Sequence, residues 1–219
     1  MKVRNYIVHA ATLLLVLACG CVQPPNKADG TEVISGATGS LPAKPEMVKT
    51  ISKEINVKSY SKSYSKFGST YKFTLIASHG DSGKAIFRAD SSTDVVNIEI
   101  KGSDDFIDDI VSEVTRISGS APTLTRRILN VETRTYKSYP SAAVDALDKE
   151  LIPILSQPNR SSTTFNGSTT KTVAFDKGLQ SVRYEHETDN SSLRITIEGA
   201  QDFVNKVKTM IETAKAPPA

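Results

Sequence analysis

A strand, a glycine and a helix recur as one pattern in the two halves of this chain. Residues 94–106 read DVVNIEIKGSDDF, and residues 191–203 read SSLRITIEGAQDF. Both segments alternate apolar and polar residues as a half-buried strand does, reach a glycine, and continue into a helical apolar stripe. Because glycine permits a sharp reversal and a phenylalanine follows at the same distance in both copies, we predict a strand that turns into a helix packed back on its sheet.

The remaining patterns fit the same kind of architecture. Ser103 is a suitable N-cap, and Asp104 and Asp105 follow where the helix dipole favours acids. Short alternating runs elsewhere predict strands separated by turns. We therefore predict an α+β fold with antiparallel sheets and helices on one face, in two pseudo-repeated halves that each end in strand-glycine-helix. These halves cover residues 46–118 and 119–219.

Residues 1–20 have the composition of an export signal. Lys2 and Arg4 precede an uncharged apolar run from Tyr6 to Ala18. This run is shorter than the ~20 apolar residues that a membrane-spanning helix needs. Small residues follow it, as they do before the cleavage site of a secretory signal. The sequence therefore predicts an exported protein whose leader is removed.

Two cysteines stand at the end of this leader, in the segment Leu-Ala-Cys-Gly-Cys that ends at Cys21. The segment resembles the lipobox of membrane lipoproteins. The resemblance implies that acyl chains such as palmitate are attached to Cys21 or, alternatively, to Cys19. It also implies a protein anchored by lipid in the cell membrane or outer membrane, with its mature domain facing the periplasm or the exterior.

The stretch that follows, residues 21–45, reads as a flexible tether. Its apolar residues are sparse and show no period. Prolines interrupt it and glycines loosen it, which is typical of a linker. These residues are Pro24, Pro25, Gly30, Gly36, Gly39, Pro42 and Pro45.

Charge and composition argue against nucleic acid as a partner. The chain has 27 Lys and Arg against 24 Asp and Glu, so it lacks the basic excess that steers a protein to phosphate backbones. The Ile-x-Ile-x-Gly run before a helix is similar to the end of RNA-binding KH modules, but the Gly-x-x-Gly that clamps phosphates there is missing. We expect no nucleic acid and no cofactor.

One strand carries the strongest binding pattern. Tyr60, Lys62, Tyr64 and Lys66 share one parity, and serines occupy the other. Aromatic rings flanked by ammonium groups suit glycans or polyanions through stacking and charge. A shorter version centres on Tyr136, with Arg134, Lys137 and Tyr139. The alternative interpretation is an edge strand on which lysine discourages aggregation and tyrosine packs half-buried.

Catalytic and metal-binding patterns are weak. Gly80-Asp81-Ser82-Gly83 resembles the nucleophile segment of chymotrypsin-like proteases, but that chemistry needs a histidine base within reach of the serine. Beyond the leader the sequence offers only His79 and His186. Four aspartates, at 104, 105, 108 and 109, read as a solvated helix start, so no metal site is predicted.

These patterns together predict a non-catalytic module for binding or envelope assembly. It would be held at a membrane by its N-terminal lipid, with a protein or an envelope polymer as partner. Two alternatives stay open. One is a cell-envelope hydrolase that uses His79 or His186, and the other is a purely structural envelope component.

Overall fold

The structure is a computed structural model that describes residues 29–67, 70–80 and 83–215. Within these residues, ten antiparallel strands form one sheet that curls into a half-barrel, and four helices accompany it. The predicted α+β class with antiparallel pairing is therefore confirmed.

The element order runs twice through one strand, one helix, four strands and one helix. The first half contains β1 (Gly30–Pro42), α1 (Met47–Glu54), β2 (Ser59–Phe67), β3 (Thr70–Ser78), β4 (Gly83–Asp90), β5 (Val95–Gly102) and α2 (Asp104–Ser118). The second half contains β6 (Thr123–Tyr136), α3 (Ser141–Leu151), β7 (Asn159–Phe165), β8 (Ser168–Lys177), β9 (Gln180–Glu187), β10 (Ser192–Gly199) and α4 (Gln201–Lys215).

The strand order places the first strand of each half at the centre of the sheet. It runs β2-β3-β4-β5-β1-β6-β10-β9-β8-β7. The two long strands β1 and β6 pair antiparallel from Gly30 opposite Thr133 to Ser40 opposite Thr123. Each half therefore extends outward from this central pair to its own edge strand, β2 or β7.

The predicted tether is wrong over most of its length, because Gly30–Pro42 is strand β1. This strand is hydrogen-bonded to β5 on one side and to β6 on the other. Its glycines are required by close packing. A Cβ at Gly36 would lie 2.6 Å from a methyl group of Leu129, and one at Gly39 would collide with the carbonyl oxygen of Thr123.

Each half has its own hydrophobic core. In the first, α1 and α2 pack on alternate residues of β1 and β3–β5, with Leu75, Phe87 and Ile98 almost fully buried. In the second, α3 and α4 pack on the corresponding strands around Phe175 and Ile197. Period-two burial along the strands and a helical stripe of apolar residues explain both cores.

The repeated strand-glycine-helix corner is closed by phenylalanine in both halves. Phe106 packs on Gly83, which lies opposite Gly102 in the neighbouring strand, and Phe203 packs on Gly199. The Oγ of Ser103 accepts a hydrogen bond from the N–H of Phe106 at 3.1 Å, which confirms the predicted cap of α2. Because a side chain at either contact glycine would occupy the place of the ring, the corner depends on both residue types.

The central strand pair generates a first prediction. Gly39→Ala should lower the free energy of unfolding by about 1–3 kcal/mol, because the added methyl group has no room beside the backbone of Thr123. Ser40→Ala on the same strand should change it by less than about 0.5 kcal/mol. Urea unfolding followed by circular dichroism measures both. Equal stability of Gly39→Ala and the unaltered protein would contradict the close contact.

Candidate functional site

The tyrosine and lysine strip lies on β2, the edge strand of the first half. The strand register places Tyr60 opposite Ala77, Lys62 opposite Leu75 and Tyr64 opposite Phe73. Because residues opposite each other share a side of the sheet, the strip lies on the side that faces the first core. The serines of β2 therefore lie on the other side.

Aromatic side chains from β3 continue this strip toward the core. The ring of Tyr64 lies 5.1 Å from that of Phe73 and 6.1 Å from that of Tyr71. Tyr71 and Phe73 meet edge to face at 5.1 Å. Phe73 is only 7% exposed, whereas Tyr60 and Tyr64 are 55% and 56% exposed. The buried ring of Phe73 thus supports the exposed ring of Tyr64, whereas Tyr60 lies farther along β2 opposite Ala77.

Ammonium groups lie beside these rings. The Nζ of Lys49, on α1, lies 4.7 Å from the ring centre of Phe73, and the Nζ of Lys62 lies 6.0 Å from that of Tyr60. Both distances fall in the cation–π range. We call the surface formed by Lys49, Tyr60, Lys62, Tyr64, Tyr71 and Phe73 the aromatic ledge.

One carboxylate borders the aromatic ledge. The hydroxyl of Tyr71 donates a hydrogen bond to Glu46, the residue just before α1. This bond raises the pKa of Tyr71 and lowers that of Glu46, because it stabilises the phenol and the carboxylate together. The bond connects the start of α1 to β3 and fixes one end of the ledge.

Tyr136 lies in a different place. It is on β6, the sixth strand of the order, whereas β2 is the first. With Arg134, Lys208 and Glu212 it lines a shallow depression of about 500 Å³. Tyr139 is fully buried and donates its hydroxyl to the carbonyl of Ile211 at 3.0 Å. The structure therefore does not bring the second tyrosine group together with the first, and Tyr139 belongs to the core.

Some predicted site residues lie outside the described part of the chain. Cys19 and Cys21 precede it, and Asp81 and Ser82 fall in one of its gaps. The backbone of Lys66 pairs with Tyr71 on β3, but its side chain is not among those described. Attachment of lipid to Cys21 or Cys19 stays a prediction.

The two histidines in the described part of the chain occupy unlike positions. His186 on β9 is 0% exposed, and its Nε2 lies 2.8 Å from the carbonyl oxygen of Tyr139. Substrate does not reach a group buried in this way. His79 begins the turn between β3 and β4, where its backbone N–H donates to the carbonyl of Gly83 at 3.0 Å.

Several buried charges were not found from the sequence. Asp148 on α3 is 5% exposed, accepts a hydrogen bond from Tyr184 at 2.5 Å and pairs with Arg160 at 2.6 Å. Glu132 on β6 is 6% exposed and pairs with Arg134 and Lys208. Asp148 follows Val144 by one helical turn and so lies within the apolar stripe of α3. This position of a charged residue in an apolar stripe is the sequence signal from which a buried charge could have been predicted.

A further ion pair crosses the centre of the sheet. Lys101 on β5 and Glu198 on β10 meet at 3.0 Å, although β1 and β6 lie between their strands. Nearby, burial lowers the pKa of Lys84, which also feels the charge of Asp176 on the opposite half. The curl of the sheet brings these side chains from the two halves together.

The aspartate-rich start of α2 has a partner. Arg126 on β6 pairs with Asp104 at 3.6 Å and also with Asp108. Within residues 29–67, 70–80 and 83–215, no group of three or more His, Cys, Asp or Glu side chains is arranged to hold a metal ion. These ion pairs involve two of the four aspartates in the cluster, Asp104 and Asp108.

Comparison with known proteins adds no relative. No protein-family model matches the chain, and no curated protein matches it. Among the described helices, none is long and apolar enough to cross a membrane. We therefore infer function from the surfaces of this chain itself.

The bond between Glu46 and Tyr71 generates a second prediction. Glu46→Gln should lower the pKa of Tyr71 toward its usual value near 10, because the acceptor loses its charge. Ultraviolet titration isolates this group when the curve of Tyr71→Phe is subtracted. In the unaltered protein the raised pKa means that folding favours the phenol, so this contribution to stability is lost as the pH rises above about 10. An identical Tyr71 midpoint in Glu46→Gln would refute the contact.

Proposed function

We propose that this chain is an exported lipoprotein whose folded domain is a non-catalytic binding module at the cell envelope. Lipid on Cys21 or Cys19 would hold it at a membrane, and the aromatic ledge would bind an anionic polymer of the envelope. The proposal rests on two tyrosines, Tyr60 and Tyr64, that are more than half exposed, with the ring of Tyr64 against the buried Phe73 and an ammonium group beside each of the rings of Phe73 and Tyr60.

The chemistry of the ledge favours a polymer that carries both rings and negative charge. Exposed tyrosine faces stack on sugar rings, and lysines attract sulfate, phosphate or carboxylate groups. An extended strand displays these groups at alternate residues, about 6.8 Å apart. A regular array of this kind suits a repeating ligand better than a single small molecule.

Comparison of the two edge strands supports a specialised role for β2. In the second half, the outer strand β7 carries Arg160, which is paired with the buried Asp148. In the first half, β2 carries Lys62, whose ammonium group lies over the ring of Tyr60, and this tyrosine is half-exposed. The edge of the second half is thus held by an ion pair, whereas that of the first half presents its cation to solvent.

The position of the ledge supports access by a large ligand. Arg126 and Glu132 lie on the same side of β6. Arg126 pairs with Asp108 of α2, and Glu132 pairs with Lys208 of α4. From this register we infer that the helices of both halves cover one face of the sheet, as the repeated pattern predicts. The ledge then lies at the outer end of that face, beyond α1.

The folded domain would lie near the membrane. Strand β1 begins at Gly30, so only the residues between Cys21 and Asp29 separate the proposed lipid from the described domain. Such a segment spans at most about 30 Å when fully extended. The ledge would therefore meet polymers close to the membrane surface.

Binding by the ledge generates a third prediction. Replacing Tyr60, Lys62, Tyr64 and Lys66 together by serine should weaken binding to dextran sulfate at least about tenfold, because stacking and charge are both removed. Isothermal titration calorimetry on the full chain measures the change, with neutral dextran as the uncharged comparison. Ser61→Ala with Ser65→Ala, on the same strand but the other side, is the matched control.

Two outcomes would contradict this assignment. Undiminished binding by the four-residue variant would place the binding surface elsewhere. A variant that binds weakly because it is unfolded, seen as lost circular dichroism, would assign the strip to the core.

The lipid anchor generates a fourth prediction. Changing both Cys19 and Cys21 to serine should move the protein from the membrane to the soluble fraction, because no thiol remains to accept an acyl chain. Each single change shows which cysteine is used. Membrane fractionation of the producing cells, followed by mass spectrometry of the N-terminus, measures this. Retention of the double variant in the membrane fraction would argue against lipidation.

A further inference from the structure

We propose that β2 is the interface between two copies of this chain, which pair antiparallel about Ser63 and join their aromatic ledges into one platform. The platform rests on the binding function proposed above, whereas the pairing does not. Two features of β2 carry the inference: its exposed position at the edge of the sheet and its self-complementary sequence.

The first feature is the free edge. β2 is the end strand of the sheet order and pairs with β3 along its whole length. Among the described residues no strand pairs with its outer side, and the side chains of residues 59–65 are exposed. A strand that presents unpaired N–H and C=O groups in this way is a template for a further antiparallel strand.

The second feature is a register in which every tyrosine meets a lysine. With Ser63 opposite Ser63 of the other copy, Lys62 lies opposite Tyr64 and Tyr60 lies opposite Lys66. Twofold symmetry makes each of these pairs occur twice. Cross-strand pairs of this kind combine ring contact with cation–π attraction.

Neighbouring registers lack this complementarity. A shift by two residues in one direction places Lys62 opposite Lys62, and in the other direction it places Lys62 opposite Lys66. Like charges directly opposite each other destabilise a strand pair. A shift by one residue places tyrosines opposite serines, which turns the two ledges to different faces. The sequence of β2 thus selects one register.

The other edge strand has no such property. β7 reads NRSSTTF from Asn159 to Phe165, and antiparallel self-pairing in the register of fullest overlap, with Ser162 opposite Ser162, places its arginine opposite Thr164. Pairing of β2 with β7 of another copy would leave one edge of each copy open and would build a filament. Pairing between two β2 strands closes after two copies.

The pairing has a consequence for the ligand. Both ledges lie on the same face of the joined sheet, so the exposed tyrosines of both copies form one surface across the twofold axis. Lysines at diagonal positions then lie roughly 7–8 Å apart and repel each other. An anionic polymer that lies across the axis relieves this repulsion, so it should favour the dimer.

The test is disulfide cross-linking in the full chain, with Cys19→Ser and Cys21→Ser in the background. Opposite residues of antiparallel strands lie roughly 4.5–5.5 Å apart between Cα atoms, which is within the range of a disulfide. Ser63→Cys should therefore give a covalent dimer under mild oxidation, and dextran sulfate should increase its yield severalfold. Non-reducing gel electrophoresis measures the yield.

Matched positions test the register. Ser61→Cys alone should not cross-link, because its two copies would lie about 13 Å apart along the strands. A mixture of Ser61→Cys chains with Ser65→Cys chains should cross-link, since these residues lie opposite each other. Thr163→Cys on β7 should remain monomeric.

The outcomes separate the pairing from the ledge function. Absence of the Ser63→Cys dimer at high protein concentration, or equal cross-linking of Ser61→Cys alone, overturns the proposed pairing whether or not dextran sulfate binds. A dimer that forms as expected but does not respond to dextran sulfate supports the pairing and overturns the shared platform.

Discussion

The structure depends on the close approach of two long strands at its centre. β1 and β6 pair over eleven positions, and this approach is possible because Gly39 leaves room for the backbone of Thr123. Each of these two strands is the innermost strand of its half of the sheet, and each half has its own hydrophobic core. The other strands extend outward from this pair on both sides, as far as the outer strand β2 that bears the aromatic ledge.

The ledge is an extension of the first core into solvent. Phe73 belongs to the core, yet its ring contacts the exposed Tyr64 and lies beneath the ammonium group of Lys49. Because Phe73 is buried, it holds the rings that pack against it in place. The hydrogen bond from Tyr71 to Glu46 connects the ledge to the start of α1. A ligand would therefore meet rings that are held in place before it binds, which reduces the conformational entropy lost on binding.

Local signals in the sequence predicted the parts of the fold that local chemistry determines. The cap at Ser103 and the corner after β10 were predicted because the partners lie within four residues, Phe106 for Ser103 and Phe203 for Gly199. At the corner after β5 the local pattern predicted the turn, but the glycine that Phe106 contacts is Gly83 on the neighbouring strand. Strand β1 was not predicted, because the residues near Gly36 and Gly39 in the sequence do not show why glycine is needed there. These glycines are required by close packing against Leu129 and Thr123, which are remote in the sequence. The alternation of tyrosine and lysine predicted a surface strip, but the supporting Phe73 and Lys49 come from other elements. Tyr136 shares the residue types of the strip without sharing its location.

Hydrogen exchange at the amides of β1 distinguishes a flexible tether from a central strand, because the expected protection of these amides differs by several orders of magnitude between the two. We expect the amides of residues 35–40, which lie between β5 and β6, to exchange as slowly as those of β5 and β10. Rapid exchange along Gly30–Pro42, while the rest of the sheet stays protected, would show that β1 is not part of the folded domain and that β1 and β6 do not form its centre.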